Sequence, residues 1–514
     1  MYNTKNKLLK VNILFFFLLL SLNSLYGGYG DGTSFWVSIS PSWMTDLYLC
    51  GIDVGTGRND GKSRIYTVAF DSSTTELCEH YFYSGGWPVV VVDSETWPPS
   101  SVFTGVVVGK GRNDTINRVY VGSFEHIYEY TFNGSTWDKV DISSVSGYYT
   151  GYQNKLTIVS GRNDGLNSIY EVDFYGGKDG HITEFRWSGS SCVKTDVGFV
   201  TGSEYWSNIA IGDGRNDGIN RLYSISGGCG NGVIYEFTYS GGVWNKNPLN
   251  VGNSFGVGIA VGKGRNDNVN RIYAIDYPQG IYEITYSGGM WTKIKIGDES
   301  GDFKLIILGD GRNDGINRVY YVITSGLPGE GDTLYELSFS GGKWYKSKVD
   351  SQNLSFNNMI IGKGCWDDET NRIFVTYWSS GISKSSVIVY TYPQNGYTIS
   401  GIIKDKNGSP LNGIRLDLSG GDFASITTDS SGQYTFHNLI PGKNYIIVPY
   451  KEDWYFDPAK KMFNGLNSNQ IQDFVARESQ VASGELKLVG NLLDLTRNDQ
   501  RTIISYNIPQ NGKV

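Results

Sequence analysis

One phrase, Gly-x-Gly-Arg-Asn-Asp-Gly-x-Asn-Arg-Ile-Tyr, recurs along this 514-residue chain and limits its possible folds more than any other feature. Its Asp stands at Asp60, Asp114, Asp164, Asp217, Asp267 and Asp314. A degraded seventh copy carries Asp367 within Gly364-Cys365-Trp366-Asp367-Asp368. The intervals of 54, 50, 53, 50, 47 and 53 residues mark a repeat architecture. Each copy reads as four strands. In the fifth, an apolar run at 258–262 enters the phrase, and strands at 271–275 and 281–286 follow. Ser287-Gly288-Gly289 then turns into a fourth strand that begins at Trp291. Four short antiparallel strands joined by tight turns make one blade of a β-propeller. A single blade has two apolar faces, and neighbouring blades must cover both.

Composition agrees. The chain has 67 Gly, 14% aromatic and only 18% charged residues, which suits short strands and many turns. With 39% hydrophobic residues it can build a large core. The seventh copy lacks a Trp-bearing fourth strand, and residues 34–39 (Ser-Phe-Trp-Val-Ser-Ile) precede the first copy with no partner of their own. They are predicted to complete blade seven and close the ring, removing exposed sheet edges. The predicted fold class is all-β: a seven-bladed propeller over residues 28–395, then a small β-sandwich over 396–478.

Residues 1–27 read as a secretory signal peptide. Lys5, Lys7 and Lys10 precede an apolar run over 11–22 that is too short to span a bilayer. The expected location is secreted, extracellular or at the cell surface. No later stretch approaches ~20 apolar residues, so no membrane span is expected. The net charge of −7 argues against nucleic acid as a partner. Five cysteines, Cys50, Cys78, Cys192, Cys229 and Cys365, are few and odd in number. Cys50 and Cys78 share a repeat, where they either pair or act as small buried apolar residues.

Beyond residue 396 the repeat stops. Thr427-Thr428-Asp429-Ser430-Ser431-Gly432-Gln433-Tyr434-Thr435-Phe436 and Leu439-Ile440-Pro441-Gly442 alternate strands with turns, as in a seven-strand-like sandwich. These pieces resemble the carboxypeptidase regulatory-like family, a transthyretin-like β-sandwich grouped with carbohydrate-binding-like folds. The resemblance implies a non-catalytic accessory module. It brings no peptidase activity, since no zinc-ligand pattern is present and His437 stands alone. Residues 479–514 are similar to the opening strands of immunoglobulin-like C-terminal modules of bacterial surface proteins, and read either as a tail or as the start of such a module.

Two constellations repeat with the blades. In the first, the turn Asp and the Arg four residues on (Asp60 with Arg64, then Asp114, Asp217, Asp267 and Asp314 with their own Arg) read as a structural brace. The third copy has Ser168 where that Arg is expected. The same turn faintly resembles FG-GAP-type calcium loops of other propellers, but Thr56, Lys110, Lys263 and Lys363 stand where a loop-opening acid would be. No cofactor is therefore expected, with calcium as the alternative. The second constellation is Arg on the second strand, Glu on the third and Trp opening the fourth. Its sets are Arg118, Glu129, Trp137; Arg221, Glu236, Trp244; Arg271, Glu283, Trp291; and Arg318, Glu336, Trp344. Blade one has Glu79 out of register, blade three lacks the Arg and the Trp, and blade seven lacks the Glu and the Trp. Arg and a carboxylate can hydrogen-bond sugar hydroxyls while an indole covers the apolar sugar face. The pattern resembles the blades of fungal-type fucose-binding lectin propellers, which implies sugar sites between blades. The other reading is that these groups glue adjacent blades together.

Four histidines, His80, His126, His181 and His437, lie in no nucleophile or metal motif. The expectation is a secreted, non-enzymatic protein whose partner is carbohydrate or a cell-surface protein. The alternatives are a structural scaffold without a sugar site, or a propeller hydrolase or lyase acting on polysaccharide.

Overall fold

The computed structural model describes residues 37–39 and 46–478, apart from 72, 82–87, 97–101, 124–125, 143–154, 173–179, 201–205, 227–231, 254, 277–278, 298–300, 325–330, 365–368, 380–383 and 393–395. The signal-peptide reading, residues 34–36, Cys229, Cys365, Asp367 and the tail 479–514 lie outside the described residues.

Seven four-stranded antiparallel sheets form the propeller. Blade five is typical, with Phe255–Gly262 innermost, then Arg271–Asp276, Gly280–Ser287 and Met290–Gly297 at the rim. Each innermost strand touches the next around the ring, and Ser355–Lys363 of blade seven touches Tyr48–Gly55 of blade one, so the ring is closed. Blade seven takes its rim strand from the N-terminal side. Val37–Ile39 runs antiparallel to Lys384–Thr391, with Val37 opposite Thr391, Ser38 opposite Tyr390 and Ile39 opposite Val389.

The apolar core lies between blades. One cluster joins Tyr223 and Ile225 of blade four to Phe255, Ile259, Ile272 and Ile284 of blade five. The GxG of the phrase serves this packing. A Cβ on Gly264 would sit 2.5 Å from the Tyr273 hydroxyl oxygen, so only glycine lets that ring lie against the turn. Cys50 and Cys78 are free, buried thiols. Cys50 Sγ donates to the Phe103 carbonyl at 3.2 Å, and burial pushes the Cys78 thiol up to about 12.

The second domain packs a five-stranded sheet (Gln433–Leu439, Tyr397–Asp405, Phe474–Glu478 and Trp454–Asp457, with Gln470–Ile471 beside Tyr397–Asp405) on a four-stranded one (Ala424–Thr427, Arg415–Gly420, Tyr445–Tyr450 and Lys461–Phe463). Nine strands replace the seven expected because two short ones, of two and three residues, were not legible as strands. Its turns follow from local chemistry. Asp405 and Asp429 each accept backbone N–H bonds from two and four residues on, and Gly408 and Gly432 take the left-handed conformation.

The sandwich is docked on blade six. Ile316, at the tip of that blade's turn, is buried within the sandwich core. Asp422 accepts from Arg312 at 2.7 Å, and Phe423 stacks parallel on Tyr345 at 3.9 Å between centroids. Asn438 donates to the carbonyls of Arg312 and Asn313.

Candidate functional site

The repeated turn is built by three side chains with different tasks. The Asp grips the Arg four residues on, at 2.6 Å for Asp60–Arg64, 2.8 Å for Asp114–Arg118 and 2.7 Å for Asp217–Arg221, Asp267–Arg271 and Asp314–Arg318. The Arg64 and Arg221 hydrogen bonds hold Asp60 and Asp217 down to about 2. In blade three, Ser168 cannot reach Asp164, and Arg186 from the third strand takes its carboxylate at 2.5 Å instead. The brace there is supplied from elsewhere rather than dispensed with. At the position that would open a calcium loop, blades four and six carry Asp213 and Asp310, which accept backbone N–H bonds from their own turns. Among the described residues, no group of three or more His, Cys, Asp or Glu could hold a metal ion.

The Asn of the phrase takes the left-handed conformation in all six intact copies, with φ between 57° and 62°. Its amide reaches the next blade. Asn216 donates to the Asn270 carbonyl at 3.0 Å and accepts from the Asn270 N–H at 2.6 Å. The same two-bond clamp joins Asn59 to Asn117, Asn163 to Asn220, Asn266 to Asn317 and Asn313 to Asn371.

The Arg of the phrase, which the local spacing assigns no role, organises six blade interfaces. Arg58, Arg112, Arg162, Arg215, Arg265 and Arg312 fork onto the third-strand carboxylates Glu79, Glu129, Glu184, Glu236, Glu283 and Glu336. Each guanidinium also lies over an aromatic ring of the following blade: Phe132, Trp187, Tyr239, Tyr286, Phe339 and Tyr392, at 3.9–4.6 Å. The second-strand tyrosine completes the station. Tyr66, Tyr170 and Tyr223 donate to the same Glu at 3.0–3.2 Å. A sequence signal for this role exists: the Arg recurs in all six intact copies and departs in the same copy as the Glu. Blade seven has Cys365 in its place, Val389 for the Glu and Phe374 for the Tyr.

These stations decide where the proposed sugar set lies. Glu129, Glu236, Glu283 and Glu336 are at most 2% exposed, and Arg118, Arg221, Arg271 and Arg318 at most 7%. Each of these arginines spends two nitrogens on its turn Asp. Trp137, Trp244, Trp291 and Trp344 are half-buried and pack edge-on against Tyr66, Tyr170, Tyr223 and Tyr273 of the preceding blade. Trp244 also donates to Glu184 of that blade at 3.2 Å. The residues of one set therefore split between two interfaces, and the Arg–Glu pairs are buried. This is a correction to the reading of these twelve residues as a sugar site, because a ligand has no access to the carboxylates. A second correction concerns Glu79, which lies opposite Tyr66 as Glu236 lies opposite Tyr223 and so is in register.

An open, polar cleft of about 610 Å³ lies where the sandwich meets blades five and six. Gln433, Thr435 and His437 line it from one sandwich strand, facing Lys263, Asn268 and Asn317 on the propeller turns. Alternation along the strand explains the sandwich wall: Tyr434 and Phe436 point into the core while Gln433 and His437 are exposed. Both carboxylates on the cleft are committed. Asp314 is forked onto Arg318, and Asp429 holds its own turn. A second cavity, of about 420 Å³, runs along the ring axis between the innermost strands. There Asp53 accepts from the N–H groups of Val54 and Val108, and burial pushes its carboxyl up to about 7.

Compared with known proteins, residues 394–473 match the family described as BOS complex subunit NOMO1-like, second beta sandwich domain. That match covers the second domain alone. It names another β-sandwich family than the carboxypeptidase regulatory-like one that the motifs resemble. No curated protein matches the sequence significantly. Among solved structures, BBS1N in complex with ARL6DN is similar at a TM-score of 0.42 and 10% identity, over 71% of this chain and 98% of that one. The WD40 domain of SCAP from fission yeast gives 0.37 and 11%, over 70% and 90%. A mutant of Aleuria aurantia lectin in complex with alpha-methyl-L-fucoside gives 0.34 and 19%, over 59% and 96%.

Proposed function

We propose that this is a non-catalytic binding protein that works outside the cell and holds a carbohydrate in the cleft between propeller and sandwich. The observation that carries the reading is the lining of that cleft. An ammonium, an amide on each wall, a hydroxyl and an imidazole converge on a space of about 610 Å³, which suits a ligand dense in hydroxyl groups. The commitment of Asp314 and Asp429 to other partners supports binding rather than acid–base hydrolysis, which needs two available carboxyl groups. The reading of residues 1–27 as a secretory leader supports the extracellular location.

The test is a glycan array probed with the whole chain, followed by Asn268→Gly, Gln433→Ala and His437→Ala. All three side chains are exposed, and glycine at 268 keeps the left-handed backbone that Asn268 adopts at a φ of 65°. Retention of a saccharide by the parent and its loss in the triple variant, at unchanged melting temperature, is the expected result. Silence across the array, or equal retention by the triple variant, overturns the proposal.

A further inference from the structure

We propose that blades two, three and four present three further copies of the docking footprint that the sandwich uses on blade six, and that they receive a protein partner through an acidic β-hairpin. The footprint comes from a single turn. On blade six, the outer edge of Arg312 meets the Asp422 carboxylate, the Ile316 tip enters an apolar core, and the carbonyls of Arg312 and Asn313 accept from an amide. Because the turn is repeated, the same groups recur at Arg112 with Ile116, Arg162 with Leu166, and Arg215 with Ile219.

On those blades the footprint faces outward. The tips Ile116, Leu166 and Ile219 are 38%, 44% and 39% exposed, whereas Ile316 is 2% exposed beneath the sandwich. The guanidinium side chains are 31%, 16% and 28% exposed, against 6% for Arg312. They are preorganised: each is forked to a buried Glu and stacked on an aromatic ring, so ordering it for a partner costs little further entropy. Blades one and five differ. Lys62 replaces the apolar tip of blade one, and Val269 is half-buried on blade five. The chemistry of the partner follows from the occupied copy, where a carboxylate is carried on a loop between two strands beside an apolar socket. Residues 415–420 and 424–427 are those strands, and Asp422 lies between them.

The probe is a backbone-cyclised, fluorescently labelled hairpin of residues 415–427, titrated into the whole chain, whose own hairpin already fills blade six. Saturable binding is expected, weakened roughly tenfold or more by Asp422→Asn in the peptide and by combined Ile116→Asp, Leu166→Asp and Ile219→Asp in the chain. The melting temperature of that triple variant is expected to stay unchanged, because its positions are exposed. A hairpin verified by NMR that fails to bind at millimolar concentration overturns the proposal, as does equal binding to the triple variant. Oligogalacturonate binding that is lost in the triple variant while the hairpin does not bind assigns these turns to acidic saccharides instead and also overturns it.

Discussion

Asp217 is held by two hydrogen bonds from Arg221, so its carboxyl titrates at about 2 when folded and near the ordinary value of ~3.9 when unfolded. A depressed carboxylate contributes stability that is present above the unfolded value and is lost as pH falls through the folded one. Asp217→Asn is therefore expected to lower the melting temperature at pH 7 and to match the parent near pH 2, measured by thermal denaturation across that range. Equal deficits at both pH values would show that the pairing contributes nothing. The buried Glu283 gives a second prediction. Removing it alone leaves Arg265 without its carboxylate and Arg271 with Asp267 alone, which costs on the order of 3 kcal/mol. Blade seven shows the tolerated alternative, where Cys365, Phe374 and Val389 replace the Arg, Tyr and Glu together. Glu283→Val should thus destabilise more than the triple change Arg265→Cys, Tyr273→Phe and Glu283→Val, as read by denaturant titration. The Asp–Arg brace was legible in the repeat because both partners sit in one turn. The Arg–Glu fork was not, because its partners lie 17–24 residues apart and no local spacing links them.

At the scale of the turn and its strand, each departure from consensus has its compensation nearby. Ser168 in blade three is matched by Arg186, which occupies the strand position that Thr131 and Ser338 fill where Arg118 and Arg318 are present. Arg186→Thr alone should destabilise the chain, while Arg186→Thr with Ser168→Arg should restore stability close to the parent in calorimetry. The clamp obeys the same rule at the ring's seam. Blade one has Ser63 in place of the receiving Asn, and blade seven has Trp366 in place of the reaching one, so both halves are missing at one junction. Asn216→Ala is expected to cost about 1–2 kcal/mol, since it removes two bonds to Asn270 and leaves a left-handed residue without its side-chain support. Strand order within a blade followed from alternation and turn residues. The destination of each Asn amide did not, because it is set by the angle between neighbouring blades.

Over the whole molecule, the architecture was readable because repetition states its own rule: blades with two apolar faces must cover one another until none is left exposed. Where the sandwich sits was not readable. Its docking depends on Asp422, Phe423 and Asn438 meeting the blade-six turn and the adjoining Tyr345, and that turn carries the same Arg-Asn-Asp as five others. The seam between blades one and seven has Cys365, Val389 and Trp366 at the sequence positions that build the polar station and the clamp elsewhere. It is held by an apolar cluster of Leu49, Ile52, Ile65, Phe374, Val387 and Val389 and by the strand Val37–Ile39. The most direct measurement is therefore oxidative cross-linking of Val37→Cys with Thr391→Cys, followed by peptide mapping of the monomer. A closed ring predicts an intramolecular disulfide between these two positions and a raised melting temperature. Persistent free thiols at both sites, or cross-links only between separate molecules, would contradict it.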